Sequence, residues 1–336
     1  MKNLKKLPLI LSILSLASFI TPVNADVKVV ASIKPLHSLA SYLMDGVGKP
    51  DLIVEGYGSP HGFSMKPSHA KILQNADLIF WVGEDLEIFL EKPLSSIAKK
   101  AEKIELMEIK GLNVLKFRER NIFDKHDHDD HDDHGKKEDD HDDHEHDDHG
   151  KKEEHADHDD HDGHEGHAHG EYDPHIWLDP MNAKVILNKM VEHLIENDAK
   201  NASKYKSNLK NAFKDIDKLT ADVKADLSKS TASIVFHDAY QYFEERFDIN
   251  ILGAFTVNTD VMPGAEQLAE IREIIEHDKV ACVFSEPQFN PNIINAVAKD
   301  MKIKTGVLDP LGATLDPGKN LYFNLIKNMS LSFKGC

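Results

Sequence analysis

Short apolar runs rich in β-branched residues alternate with helical patterns along most of the chain. Runs typical of strands occupy residues 27–33, 51–57 and 77–82 in the first half and residues 233–237, 249–255, 280–285 and 303–308 in the second. Helical patterns lie between them, as at residues 35–43, 264–276 and 291–300. Alternation of this kind predicts an α/β fold with two lobes, each with a mainly parallel sheet flanked by helices.

A long helical region separates the two sets of strands. Asp179 and Pro180 have the residue types favoured at a helix N-cap and at the first helical position. Farther on, seven apolar residues repeat every three or four positions, which places them on one face of a helix of at least six turns. They are Tyr205, Leu209, Phe213, Ile216, Leu219, Val223 and Leu227. We expect this helix to join the lobes as a stiff backbone.

These patterns divide the chain into four parts. Residues 1–25 combine a basic start, an apolar stretch and the sequence Val23-Asn24-Ala25, which is typical of a secretory signal peptide cleaved after Ala25. The alternative, a membrane anchor, is disfavoured because the apolar run is short for a span. Beyond it we expect an N-terminal lobe at 26–178, a helical linker at 179–230 and a C-terminal lobe at 231–336, with no membrane insertion of the mature chain.

An acidic, histidine-rich insert occupies residues 124–171. It holds 14 of the 21 histidines together with 22 acidic residues and 5 lysines, and so supplies −17 of the formal net charge of −18. Without large aliphatic side chains we expect the insert to be disordered. Its imidazoles predict weak auxiliary metal sites. These are His126, His128, His131, His134, His141, His144, His146, His149, His155, His158, His161, His164, His167 and His169. The remaining sequence is nearly neutral, which argues against nucleic-acid binding.

The chain has two cysteines, Cys282 and Cys336. In an exported protein so sparse a pair favours one disulfide over two free thiols. A cysteine zinc site is disfavoured because no Cys-x-x-Cys spacing is present.

Four polar residues outside the insert lie just past a predicted strand or at the start of a loop. They are His61, His175, His237 and Asp309. Ligands of open α/β sheets bind beyond the carboxyl ends of the strands, so one cleft can collect all four. Taken singly, each also fits a surface or capping position, and Asp309 before Pro310 fits a turn. The other histidines outside the insert, His37, His69, His193 and His277, lie among polar residues and are predicted to be solvated.

Five segments together are more specific than any one of these residues. They are SPHGFSMKPS at 59–68, DPHIWLDP at 173–180, FHDAYQYF at 236–243, CVFSEPQF at 282–289 and LDPLG at 308–312. In this order, and with an acidic histidine-rich insert ahead of the second histidine, the chain resembles the ZnuA family, the zinc-binding periplasmic components of zinc importers. The resemblance covers essentially the whole mature chain. It implies two α/β lobes joined by a long helix and a Cys282–Cys336 disulfide.

The resemblance also implies a ligand set. His61, His175 and His237 would be the primary zinc ligands, and histidine at the third position favours zinc, since related manganese binders usually have a carboxylate there. Some zinc-binding relatives have glutamate just before the first histidine, where this chain has Pro60. The fourth ligand is therefore expected to be water, with Asp309 as an occasional or outer ligand. Glu286 is a further candidate for an outer position.

The function implied is capture and delivery. A monomeric periplasmic protein would bind Zn(II), its transported ligand, between the lobes and dock on a membrane permease driven by a cytoplasmic ATPase. Histidine ligation predicts that the affinity falls as the pH drops through about 6.5 toward 5. Alternatives are zinc storage by the insert, manganese binding and a zinc enzyme. The last is disfavoured because the sequence lacks His-Glu-x-x-His, Gly-x-Ser-x-Gly and a phosphate-binding loop.

Overall fold

A computed structural model describes residues 27–118, 120–123, 170–227, 231–257, 259 and 261–336. The predicted signal peptide and nearly all of the predicted disordered insert lie outside these residues. Within the described part of the chain, no helix is long and apolar enough to cross a membrane.

The first sheet is built from four parallel strands in the order β2-β1-β3-β4. The strands are β1 (Val29–Ala31), β2 (Asp51–Leu52), β3 (Leu78–Trp81) and β4 (Glu102–Glu105), and the helices among them are α1 (Lys34–Leu43), α2 (Pro67–Asn75) and α3 (Glu84–Ser96). All residues of β1 and β3 are buried. Such uninterrupted apolar runs are expected of central parallel strands that helices cover on both faces.

The second sheet repeats this architecture with the order β6-β5-β7-β8, again all parallel. Its strands are β5 (Ser233–His237), β6 (Ile251–Thr256), β7 (Cys282–Ser285) and β8 (Lys304–Val307), and its helices are α6 (Gln241–Phe247), α7 (Ala265–His277) and α8 (Asn292–Met301). The predicted α/β fold with two mainly parallel sheets is confirmed.

Two helices connect the sheets. A 3₁₀ turn (Ile176–Leu178) leads into α4 (Pro180–Asn197), a second 3₁₀ turn (Ala199–Asn201) follows, and α5 (Ala202–Asp226) is the long backbone helix that the apolar stripe predicted. The carboxylate of Asp179 caps α4 by accepting the amide N–H of Met181 at 2.8 Å. The same carboxylate accepts two hydrogen bonds from Arg246 of α6, at 2.7 and 2.6 Å. The start of α4 is thereby tied to the second lobe.

The last helix, α9 (Leu321–Gly335), returns to the first lobe. It packs against α1 and α5 as well as β8. At its end Cys336 forms a disulfide with Cys282 of β7, with Cα atoms 5.8 Å apart, as the sparse cysteine pair predicted. The chain terminus is therefore bonded to one lobe while its helix packs on the other.

A strap just before the insert also crosses between the lobes. Ile122 pairs antiparallel with Gly253 of β6, and the carbonyl of Asn121 accepts the amide N–H of Ala254 at 2.8 Å. A Cβ on Gly253 would lie 2.6 Å from that carbonyl oxygen, so this close approach requires glycine. The strap covers the edge of the second sheet, and the chain enters the insert from there.

Strand β4 was not predicted from the sequence. Its residues read Glu-Lys-Ile-Glu, and only Ile104 is buried. A strand at the edge of a sheet can pack on the core through a single apolar side chain. Its sequence then lacks the apolar run or alternation by which a strand is recognised.

Candidate metal centre

The structure brings His61, His175 and His237 together. One ring nitrogen of each lies within 4.8 Å of the others, and the Nε2 atoms of His175 and His237 are 3.3 Å apart. The ring centroids are separated by 5.2 to 5.7 Å. Zinc–nitrogen bonds of about 2.0–2.1 Å in a tetrahedron separate two ligand nitrogens by about 3.3 Å. The spacing of three imidazoles therefore suits one tetrahedral ion.

Each histidine arrives from a different part of the fold. His237 is the last residue of β5, His61 lies in the loop that follows β2, and His175 directly precedes the 3₁₀ turn at the start of α4. His175 and His237 are 3% and 4% exposed, whereas His61 is only half-buried. Two ligand positions are thus set by rigid, buried backbone, and the third lies at the more accessible side.

A carboxylate orients the ring of each buried histidine. Asp173 Oδ1 is 2.7 Å from Nδ1 of His175 and also accepts the backbone N–H of His175 at 2.9 Å. Glu286 Oε1 is 2.7 Å from Nδ1 of His237 and accepts the hydroxyl of Tyr240 at 2.9 Å. With Nδ1 donating to a carboxylate, Nε2 is left with its lone pair for a metal. Asp173 was not recognised from the sequence, although its place two residues before His175 in Asp-Pro-His was a usable signal.

The same carboxylates shape the electrostatics. Burial lowers the pKa of His237, but the charge and hydrogen bond of Glu286, with smaller contributions from Asp238 and Asp173, more than offset it and leave that pKa raised. Burial, with the nearby His237, holds the pKa of His175 well below its usual value. Burial raises the pKa of Asp173 and of Asp238 to about 7. A cation bound at the histidines would favour the ionised forms of Asp173 and Asp238. Their negative charges would in turn stabilise the bound cation.

Apolar side chains close the pocket on its inner side. Trp177, Phe289, Pro310 and Leu311 line it together with the three histidines. The ring of Trp177 is 5.3 Å from that of His175, and its Nε1–H donates to the carbonyl of Pro310 at 2.8 Å. An apolar wall of this kind strengthens the interaction of the imidazoles with a cation by lowering the local dielectric.

The outer side of the pocket meets the end of the insert. Gly170 lines it with Asp85 and His61, and a Cβ on Gly170 would lie 1.8 Å from the carboxylate of Asp85. A larger residue at this position would require the exposed side chain of Asp85 to move away. The insert therefore rejoins the fold at the mouth of the histidine pocket.

Asp309 does not join the group of ring nitrogens within the described residues. Its carboxylate accepts the side-chain amide of Gln288 at 2.9 Å and the backbone N–H groups of Leu311 and Thr314 at 3.3 Å each. These bonds hold it in the loop that follows β8. Gln288 and Leu311 are themselves pocket residues, so Asp309 lies one layer behind the wall.

The prediction that the other four histidines are solvated is wrong for three of them. His37 and His69 are 9% and 5% exposed, and the His193 side chain is 12% exposed. His37 Nε2 contacts the carbonyl of Pro50, and Nδ1 of His69 accepts the backbone N–H of Lys66 at the start of α2. Polar sequence neighbours hid these contacts because helices place adjacent residues on different faces. Only His277 is exposed as predicted.

The sequence matches the family model described as zinc-uptake complex component A, periplasmic (ZnuA), over residues 29–336. The chain belongs to the ZnuA family. It is 47% identical over 310 residues to the high-affinity zinc uptake system protein ZnuA of Brucella abortus (strain 2308), covering 92% of this chain and 91% of that one. It is 40% identical to the protein of the same name from Haemophilus influenzae, over 100% and 99% of the two chains.

Among solved structures, a ZnuA with residues 138–173 deleted and zinc bound superposes with a TM-score of 0.69 at 18% identity, covering 92% of this chain and 97% of that one. At this identity the likeness shows the fold. The ZnuA relatives are components of uptake systems and not enzymes, which removes the zinc-enzyme alternative.

Proposed function

We propose that this ZnuA-family chain captures Zn(II) in the cleft between its lobes and delivers it to an ABC-type importer. His61, His175 and His237 bind the ion, which is the transported ligand. The observation that carries the proposal is the convergence of three imidazole nitrogens within 4.8 Å of one another at the junction of the two sheets. Three neutral imidazoles favour zinc over manganese, whose usual ligands are carboxylate, carbonyl and water.

Water completes the coordination in this proposal. The side chain of Pro60 has no ligand atom, and Asp309 would have to give up its hydrogen bonds to Gln288 and two backbone amides before it reached the ion. Breaking several hydrogen bonds of a partly buried carboxylate costs more than admitting one water. Asp309 therefore acts as an occasional ligand at most, and otherwise fixes the wall behind the site.

Delivery requires that the ion leave again. The ligands come from both lobes, so a modest separation of the lobes withdraws His237 from His61 and His175 and weakens the site. The membrane permease, with its cytoplasmic ATPase, is the partner that drives this separation when the loaded protein docks in the periplasm. The insert gathers zinc at weak sites close to the cleft, since its end, Gly170, lines the mouth of the pocket.

A calorimetric zinc titration tests this assignment. We compare the full chain with a variant in which residues 124–169 are replaced by a short Gly/Ser linker. One tight zinc site should remain in the shortened protein, while the weak sites of the insert disappear. If no tight site remains, the storage function of the insert replaces the proposal. If Mn²⁺ competes with Zn²⁺ on equal terms at the remaining site, manganese binding replaces the proposal.

A histidine variant assigns the site within the shortened protein. His237→Ala should abolish tight binding, because a buried ligand is lost. The matched control is His277→Ala, which removes an exposed histidine from α7 and should leave the tight site unchanged.

A further inference from the structure

A second group of metal-binding side chains lies at the far end of the first sheet. Glu102 is the first residue of β4, whereas His237 is the last residue of β5 and His61 lies in the loop that follows β2. Facing Glu102 are His193 and Glu196 on α4, one helical turn apart. We propose that Glu102, His193 and Glu196 bind one divalent transition cation, with Zn(II) the preferred ion. This site goes beyond the proposed transport function and does not depend on it.

The donor atoms are already gathered. One atom from each residue lies within 4.8 Å of the others. Nδ1 of His193 is 2.7 Å from Oε1 of Glu102 and 3.4 Å from Oε2 of Glu196. Ligands of tetrahedral zinc are separated by about 3.3 Å. The Glu196 contact has this separation already, and Glu102 reaches it by a shift of well under 1 Å, which a side chain that is 39% exposed can make.

The burial of His193 argues for a ligand at its ring. Both ring nitrogens are buried, and among the described residues neither has a hydrogen-bond partner. Glu102 is close to Nδ1 but lacks the alignment of a hydrogen bond. When the ring is protonated, Nδ1 has these two carboxylates as ion-pair partners, and a divalent cation bound between the three groups takes the place of that proton.

A neighbouring amide holds Glu102 in place. Asn197 donates through Nδ2 to Oε2 of Glu102 and to the backbone carbonyl of His193, both at 2.9 Å. Oε1 of Glu102 is left to face the imidazole. Outer hydrogen bonds of this kind orient the ligands of metal sites and keep the reactive oxygen available.

The donor set decides the class of ion. One imidazole and two carboxylates suit zinc, which accepts nitrogen and oxygen ligands in a four-coordinate site, and leave one position for water. The two carboxylates match the charge of a divalent cation. Glu196 is 67% exposed, so the ion enters from solvent.

Anomalous scattering at the zinc edge locates the ion without interference from the insert. We would crystallise the full chain with zinc chloride and compare it with Glu196→Gln, Asn197→Ala and the exposed control His277→Gln. The proposal expects a peak within about 2.3 Å of Nδ1 of His193 and a carboxylate oxygen. It expects that peak in the wild type and in His277→Gln, and its loss in Glu196→Gln.

The Asn197→Ala variant separates an oriented site from a chance cluster. Loss of the outer hydrogen bond should raise the zinc concentration for half occupancy by about tenfold or more. Equilibrium dialysis of the same proteins should show Glu196→Gln binding one zinc fewer than the wild type. The proposal is overturned if no peak forms at zinc concentrations tenfold above those that fill the three-histidine cleft. A peak that persists unchanged in Glu196→Gln and Asn197→Ala overturns it equally.

Discussion

The carboxylate of Glu286 lies 2.7 Å from Nδ1 of His237, a residue 49 positions earlier in the chain. The two are brought together because β5, which ends in His237, is hydrogen-bonded to β7, which ends one residue before Glu286. Because β5 and β7 are parallel neighbours, the side chains of His237 and Glu286 lie at the same edge of the sheet. The hydrogen bond fixes the ring so that Nε2 faces His175 and His61.

Replacing Glu286 tests this relationship. In Glu286→Gln the amide keeps the size of the side chain but no longer favours a proton on Nδ1 of His237. We expect the zinc affinity to fall by about 10–100-fold, the range typical of such outer partners. Competition titration against a zinc chelator measures it, with Glu266→Gln on the exposed first turn of α7 as the control. An affinity equal to that of the wild type would show that Glu286 has only a packing role.

Several parts of the structure could be predicted from the sequence. The strands were recognised where buried apolar runs were long, and α5 was recognised because its apolar stripe continues from Tyr205 to Leu227. The convergence of His61, His175 and His237 followed from their places in loops and at strand ends and from the resemblance to a family. The roles of these residues as zinc ligands remain a prediction.

Other parts depend on tertiary contacts that no local pattern encodes. The group formed by Glu102 and His193 joins residues 91 positions apart, and neither residue stands in a motif. The strap at Ile122 and the packing of α9 on α1 are also long-range. A sequence indicates which face of an element is apolar, but not which distant element covers it.

The pH dependence of zinc binding should begin with His237. Zinc needs an unprotonated nitrogen, and because the pKa of His237 is raised, protons compete there already above pH 6.5. The pKa of His175 is well below 6.5, so this ring competes only in more acid solution. We expect the affinity to fall by about tenfold per pH unit once the pH drops below the pKa of His237.

Glu286→Gln should move this dependence to lower pH. Without the Glu286 carboxylate the desolvation of His237 dominates, and desolvation lowers its pKa. Chelator competition between pH 5 and pH 8 compares the two proteins. An onset in the variant at the same pH as in the wild type, or at higher pH, is incompatible with this assignment.

Lys34 should stabilise the loop behind the metal pocket. Its ammonium group is buried and donates to three backbone carbonyls, those of Gly312, Ala313 and Leu315, at 2.8 to 3.1 Å. Lys34→Met keeps the apolar stem but leaves these oxygens without a charged donor. We expect the free energy of unfolding to fall by about 2–4 kcal/mol, because buried acceptors lose their partner. Urea unfolding followed by circular dichroism measures the loss.

An exposed lysine provides the control for this change. Lys319 pairs with Asp45 at 2.8 Å, and about half of each side chain is exposed. Lys319→Met should therefore cost no more than about 1 kcal/mol. Equal losses of unfolding free energy in the two variants would mean that the buried hydrogen bonds of Lys34 contribute no more than a surface ion pair.

The disulfide between Cys282 and Cys336 should stabilise the fold mainly by lowering the conformational entropy of the unfolded chain. It joins residues 54 positions apart, and closing a loop of that length is worth about 4 kcal/mol in the chain-entropy model. Replacing both cysteines by serine should lower the free energy of unfolding by up to this amount. Zinc affinity should change little, because neither cysteine lines the histidine pocket.

Urea unfolding of the double variant, and of the wild type with and without a reducing agent, measures the effect of the disulfide on the free energy of unfolding. The reduced wild type should match the double variant, and a loss below about 1 kcal/mol in both would show that α9 is held by its packing on α1 and α5 alone.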